Sequence, residues 1–327
     1  MENSEWIRHI DFLKSNSDKK GTKSNIFRAL EKSIINKIPN EPFGILLSGG
    51  IDSSLIAKIC KDRGANFRCF CVGIKDSKDV EAAIKISQLL NLKLIKKEYE
   101  IGEIEELLEK VIRILPYPII ENDNYIEYMV KVSVSAVMLA AINLGKENIF
   151  LSGIGAEELF AGYHRHTLSF KEGGKWRGSK IKQLEDESWD GIKRLHNLVI
   201  SRDQLIAKQF MKEIRNPYID DELIILAMNL DREEKINEDN NKIILRKIAA
   251  DIGVPKIAYE RKKKGAQYGS GFDKAISKLA KKNGFTLKKR YIEDLLNQYK
   301  KWIWIVYKPV PSWYLMVQYS CNNCDMS

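Results

Sequence analysis

Apolar residues along the chain change spacing in a regular order. Ile26 to Ile38 recur at helical intervals until Pro39 to Pro42 end the segment. Ile45 to Leu47 then form a short continuous apolar run, as in a strand buried on both faces. Ser48-Gly49-Gly50 breaks this run, and a helical pattern resumes from Ser53 to about Arg63, closed by Gly64. Phe67 to Ile74 reads as a second strand, Asp79 to Leu90 as a helix, and Leu92 to Tyr99 as a third strand. Two further helices are predicted over Ile104 to Leu115 and Tyr125 to Leu144, then a short fourth strand over Asn148 to Ser152. After about residue 165 no convincing strand pattern returns, and the remainder reads as helical.

Strands alternating with helices predict βα crossover units in a doubly wound parallel sheet with helices on both faces. Such a sheet places its ligand site at the carboxyl ends of the strands. The expected organisation is a helical lead-in over 1–40, an α/β domain over 41–165 and a mostly helical region over 166–327 that completes the site.

Two glycine turns carry the candidate chemistry. In the first, Ser48-Gly49-Gly50-Ile51-Asp52-Ser53-Ser54 runs from the buried strand into a helix. The glycines allow a tight bend and close ligand approach, while the first amides of the helix lack intrahelical acceptors and favour an anion. The simplest ligand is a phosphate. A Walker A loop would require Gly-x-x-x-x-Gly-Lys-Ser/Thr, and no lysine sits here. In the second turn, Ser152-Gly153-Ile154-Gly155-Ala156-Glu157-Glu158 follows the fourth strand and brings carboxylates to the same edge of the sheet. Hard oxygen ligands such as Asp52 and Glu157 suit Mg²⁺, with water and phosphate oxygens completing its shell. First-turn acids on a helix are the plainer account of Glu157 and Glu158.

The 327 residues leave ample room for a core, and the formal net charge is +10. That charge is local, because Lys256 to Lys308 holds 15 Lys/Arg against 4 Asp/Glu. Such a segment suits RNA, a polyanionic substrate or a solvated lysine-rich surface. The first twenty residues are polar, and the best apolar run, Val132 to Leu144, is too short to span a bilayer. Together with 5 unevenly placed cysteines, this predicts a cytoplasmic protein with no membrane partner and no disulfide framework.

The Ser-Gly-Gly-x-Asp-Ser loop resembles the pyrophosphate loop of N-type ATP pyrophosphatases. With Ser152 to Tyr163 it resembles the synthetase domain of asparagine synthetases, whose second motif reads Ser-Gly-Glu-Gly-Ala-Asp-Glu-Leu-Phe-Gly-Gly-Tyr. Val72-Gly73, the acidic helix start at Ser77 to Ala82, and Lys212-Glu213-Ile214-Arg215-Asn216-Pro217-Tyr218-Ile219-Asp220 extend the similarity over about residues 30 to 275. The resemblance implies a fold like the adenine nucleotide α-hydrolases and an AMP-forming amide ligase using ATP and Mg²⁺ on a carboxylate such as aspartate, with ammonia as second substrate. It places Leu47 and Val72 on the nucleoside, Ser48, Gly49, Gly50, Asp52, Ser53 and Ser54 on the phosphates, and Ser152 and Gly153 on the nucleotide again. Lys262-Lys263-Lys264-Gly265-Ala266-Gln267-Tyr268 is similar to a Lys-Glu-Gln-Phe stretch whose lysine meets the leaving pyrophosphate, which makes Lys263 and Lys264 catalytic candidates.

Departures sharpen the expectation. Only some forty residues precede the loop where asparagine synthetases carry a glutaminase domain, so free ammonia, another amine or a separate glutaminase subunit is expected to supply nitrogen. Ile154 stands where those enzymes carry a glutamate that assists the amine. Gly153-Ile154-Gly155-Ala156 and Gly162-Tyr163-His164-Arg165-His166 are more similar to the branch of asparagine synthetase domain-containing proteins. His164 and His166 read as phosphate contacts or polar surface, Asn122-Asp123-Asn124 as a pocket edge or capping loop, and the aromatic tail Trp302 to Tyr319 as a packing arm. Cys321 and Cys324 lack a second pair for zinc. Three classes of function stay open: the amide ligase, an RNA-modifying pyrophosphatase gripping RNA through the basic segment, and a non-catalytic nucleotide-binding protein.

Overall fold

The computed structural model describes residues 2–115, 125–171, 175–176, 179–180, 182–262 and 264–306. Asn122 to Asn124, Lys263, the aromatic tail beyond residue 306, and Cys321 and Cys324 lie outside the described residues.

Helices α1 (Asn3–Ser15) and α2 (Lys23–Lys37) open the chain. Thr22 starts α2 because its hydroxyl accepts from the Asn25 amide at 3.3 Å while the Asn25 side chain accepts from the Thr22 amide at 2.6 Å. Three strand–helix units follow: β1 (Phe43–Leu46) with α3 (Ile51–Asp62), β2 (Phe67–Gly73) with α4 (Lys78–Leu89), and β3 (Leu94–Glu98) with α5 (Ile101–Ile114). Helix α6 (Tyr125–Ile142) leads to β4 (Ile149–Leu151), the short α7 (Ala156–Leu159), α8 (His164–Phe170) and a small antiparallel pair, β5 (Lys175–Trp176) with β6 (Ser179–Lys180). Helix α9 (Leu184–Leu195) runs through a π-turn (His196–Ile200) into α10 (Ser201–Gln209), and β7 (Glu213–Arg215) follows.

The main sheet has the order β3-β2-β1-β4-β7 and is parallel throughout. This is the doubly wound α/β class that the alternating pattern predicts. Strand β7 corrects the expectation that no strand follows residue 165. Its sequence, Glu213-Ile214-Arg215, contributes one buried apolar residue at a charged sheet edge, too little to register as a strand pattern.

Period-two alternation divides the core. Phe43 and Ile45 of β1, Cys69 and Cys71 of β2, and Ile149 and Leu151 of β4 face α2 and α3; Phe70, Val72 and Phe150 face α5 and α6. The three described cysteines are buried free thiols, and burial pushes each well above the usual thiol range, Cys69 to about 12. They are packing residues, not reactive ones.

The remaining helices are α11 (Asp221–Met228), α12 (Arg232–Lys235), α13 (Ile243–Asp251), α14 (Lys256–Glu260), α15 (Ala266–Gly269), α16 (Phe272–Lys282) and α17 (Lys288–Val306). Those from α11 to α13 close the α2–α3 face, while α16 and α17 pack on α5 and α6. The winding reverses between β1 and β4, so a crevice opens at their carboxyl ends. Among the described residues, no helix is long and apolar enough to cross a membrane.

Candidate active site

A cleft of about 530 Å³ occupies that crevice. Its floor is the loop after β1 and its far wall the loop after β4, while α6 lays a helical stripe along one side through Glu127, Val130, Lys131, Val134, Val137, Met138 and Ala141. A second, more open recess of about 660 Å³ lies by β7 and contains neither glycine turn.

The first turn is shaped before any ligand arrives. Gly49 has φ +70°, and a Cβ there would sit 2.6 Å from the backbone of Ala82, so only glycine fits. The Ser53 hydroxyl lies 3.3 Å from the Ser48 amide and 3.4 Å from the Ser48 hydroxyl, while the Gly50 amide donates to Ser48 Oγ at 3.4 Å. Ser48, Asp52 and Ser53 line the cleft with Leu47 and Val72, and Ser152, Gly153 and Glu157 face them from the second turn. Ser54 is fully buried and, like Gly49 and Gly50, is not part of the cleft lining. Lys264 is exposed and also stays outside the lining, whereas the following Gly265, Ala266 and Gln267 reach it.

The centre of the site is a buried charge triad that the motifs do not contain. Lys242 Nζ donates to both Asp52 oxygens at 2.7 Å and to Glu157 Oε1 at 2.7 Å. Lys242 is 1% exposed, Asp52 5% and Glu157 7%, so one ammonium faces two carboxyl groups away from water, with formal acid in excess. The Tyr218 hydroxyl donates to the Asp52 carbonyl at 3.2 Å and packs the helix start from beneath. Gly162 must lack a side chain, because a Cβ there would overlap the Glu157 carboxylate and the Lys242 stem. Lys242 itself has φ 54°, a region that side-chain-bearing residues rarely occupy, and it directly precedes α13 in a position where lysine is a poor cap. An unusual backbone angle held by a buried three-way ion pair is the kind of strain that accompanies a functional site.

A second cation was also invisible in the motifs. Arg261 donates from Nη1 to the Ser48 carbonyl at 2.9 Å and from Nη2 to Asp79 Oδ1 at 2.5 Å, joining the first turn to the start of α4. In sequence Lys242 is a lone basic residue before an apolar helix and Arg261 opens a run of four basic residues that names no partner; both partnerships are long-range.

At the other end of the cleft, the Tyr163 hydroxyl donates to Glu158 Oε1 at 2.8 Å. Burial pushes the Glu158 carboxyl above the usual carboxylate range, and burial does the same to Asp203 on α10. Ile154 is an apolar wall of this end. His166 is neither a phosphate contact nor surface: it is fully buried and accepts from the Tyr163 amide at 3.3 Å, while His164 is exposed. Burial, aided by the Arg165 charge, lowers His166 from 6.5 to about 3.

That shift has a measurable consequence. The unfolded chain takes up a proton at His166 near pH 6.5 and the folded chain only near 3, so this stabilisation is complete above pH 6.5 and is lost as pH falls towards 3. The slope is about 1.4 kcal/mol per pH unit. Between pH 7 and pH 5, urea unfolding should show His166→Gln losing about 2 kcal/mol less than the unsubstituted chain.

Fold and loops together define a doubly wound α/β protein with an anion-type loop at its switch point, closed by a buried carboxylate–lysine–carboxylate bridge. The asparagine synthase family profile matches residues 28–212 and 178–302. A putative glutamine-hydrolyzing asparagine synthetase of Methanocaldococcus jannaschii is 31% identical over 332 residues, covering 89% of this chain and 57% of the relative. A glutamine-hydrolyzing asparagine synthetase of Lotus japonicus is 30% identical, covering 75% of this chain and 42% of the relative, and one of Arabidopsis thaliana is 30% identical, covering 64% and 35%. The chain belongs to the asparagine synthase family, and it spans about half the length of the curated relatives it matches.

Proposed function

We propose that the chain is an ATP-dependent, AMP-forming carbon–nitrogen ligase that adenylates a carboxylate and passes the acyl group to ammonia or another amine. The observation that carries this reading is the Asp52–Lys242–Glu157 bridge at the carboxyl ends of β1 and β4, beside a tight glycine turn cross-bonded through Ser48 and Ser53. Family membership supports the reaction class.

In this reading Leu47 and Val72 wall the nucleoside, with Gly265 to Gln267 across from them. The phosphates lie over Ser48, Gly49, Gly50 and Ser53, with Ser152 and Gly153 across the cleft. Asp52 and Glu157 fit a divalent cation: their carboxylates already converge on one positive group, and both are hard oxygen donors. Asp52 and Glu157, which hold the Lys242 ammonium here, would be the protein's ligands to that cation. When bound, Mg²⁺ offsets phosphate charge and orients the triphosphate. Arg261, held by the Ser48 carbonyl and Asp79, supplies positive charge beside the loop, where negative charge grows on departing pyrophosphate. By the resemblance, Lys263 and Lys264 remain candidates for the same task. Ile154 cannot accept a proton from the attacking amine, which leaves Glu158 and Asp203 as the nearby carboxyl groups raised towards that role. Nitrogen enters as ammonia or another amine.

The test is pyrophosphate release from ATP and Mg²⁺ with carboxylic acids, ammonium and bulk tRNA added singly and together. Release that requires an acid and an amine supports the ligase. Release that requires only tRNA would replace it with base modification through the basic segment 256–308, and ATP binding without release under every condition would favour the non-catalytic reading.

A further inference from the structure

We propose that the acceptor is a monocarboxylic acid whose remaining part is uncharged and mainly apolar, rather than a second zwitterion such as aspartate; this rests on the ligase reading above. Beyond the carboxylates at the glycine turns, the cleft runs between α6 and the α9–π-turn–α10 segment. Its walls there are Val130 and Val134 of α6, Leu195, Leu198 and Val199 opposite, and Ile154 between them. Leu195, Leu198 and Val199 share a helical face with Arg202, so the same face that supplies apolar wall also supplies the charge.

Two ion pairs and a tyrosine-bonded carboxyl, Glu158, hold the charges at this end. Arg202 donates from Nε and Nη2 to the same Asp203 oxygen, both at 2.7 Å, and the two residues are 8% and 3% exposed. Lys131 pairs with Glu127 at 3.0 Å, and Glu158 accepts from Tyr163. Aspartate adenylated on one carboxylate would still carry an ammonium and a second carboxylate into this space. Each would need an ionic partner, and using Arg202 and Asp203 would mean separating a buried pair. An alkyl or aryl chain needs no such partner. Each methylene it moves from water onto these walls is worth roughly a fourfold gain in affinity. The neutral Arg202–Asp203 pair can still meet one uncharged polar group on the acceptor.

Stable sulfamoyl-adenosine mimics of acyl-adenylates test the class directly. Calorimetry on the purified chain would compare aspartyl-, hexanoyl- and 3-phenylpropanoyl-sulfamoyl adenosine, each also titrated against bound ATP. The expected result is that the hexanoyl and phenylpropanoyl mimics bind at least tenfold more tightly than the aspartyl mimic and displace ATP. An aspartyl mimic that binds as well or better overturns the acceptor class but leaves the ligase reading intact. ATP binding that none of the mimics competes with overturns the ligase reading, and this inference with it. Leu198→Asp, checked for cooperative thermal unfolding, should lose the preference for the apolar mimics; an unchanged preference in the folded variant also overturns the assignment.

Discussion

Lys242→Met should cost the folded chain about 3–5 kcal/mol, the usual loss when one partner leaves a buried ion pair. Nothing else measured on this molecule should move stability as far. The ammonium reaches three carboxylate oxygens at 2.7 Å, so methionine would leave two acidic groups facing each other with almost no water. Their mutual repulsion would then add to the loss of the cation. The same geometry predicts a partial rescue. If Asp52 and Glu157 form a cation site, millimolar Mg²⁺ should recover a good part of the lost stability in Lys242→Met and shift the unsubstituted chain much less. Urea unfolding in EDTA and in Mg²⁺ separates the two claims: full stability without Lys242 would show that the bridge carries little, and a destabilised variant indifferent to Mg²⁺ would argue against the carboxylates as metal ligands.

What the sequence makes legible follows from how local each signal is. The loop Ser48 to Ser54, the turn Ser152 to Glu158 and the helical stripe of α6 are each written in consecutive residues, so their spacing reveals them. Lys242 and Arg261 are equally central but lie 190 and 213 positions from the groups they hold. Nothing near Lys242 marks it, the basic run at Arg261 names no partner, and only the folded sheet brings the two to the loop. Strand β7 escapes notice for a related reason: it pairs with β4 through backbone, and one buried Ile214 is all the apolar signal it needs at an edge. His166 shows the reverse case, a polar residue beside a motif that reads as chemistry and is in fact buried packing and cap. The carboxylates Glu157 and Glu158 are adjacent in sequence yet diverge in role, because one reaches Lys242 and the other Tyr163.

Asp52→Asn should lower pyrophosphate release by roughly 10²–10³-fold, the scale seen when one aligned electrostatic contact to a reacting centre is removed. The change keeps the volume of the side chain and the helix start, and Lys242 retains Glu157 as an ionic partner, so the fold should survive where Lys242→Met strains it. Activity and stability are thereby expected to part company across the bridge: removing the lysine exposes two charges to each other, while removing one acid leaves a matched pair. Glu157→Gln is expected to behave in the same way, whereas the double variant should lose stability well beyond either single one, because it leaves the buried Lys242 without a carboxylate. Initial rates of pyrophosphate release with saturating ATP, set beside urea midpoints of the same preparations, decide the point. Release within threefold of the unsubstituted chain in Asp52→Asn would move the phosphate-handling charge to Arg261 and reduce Asp52 to the structural counter-ion of Lys242.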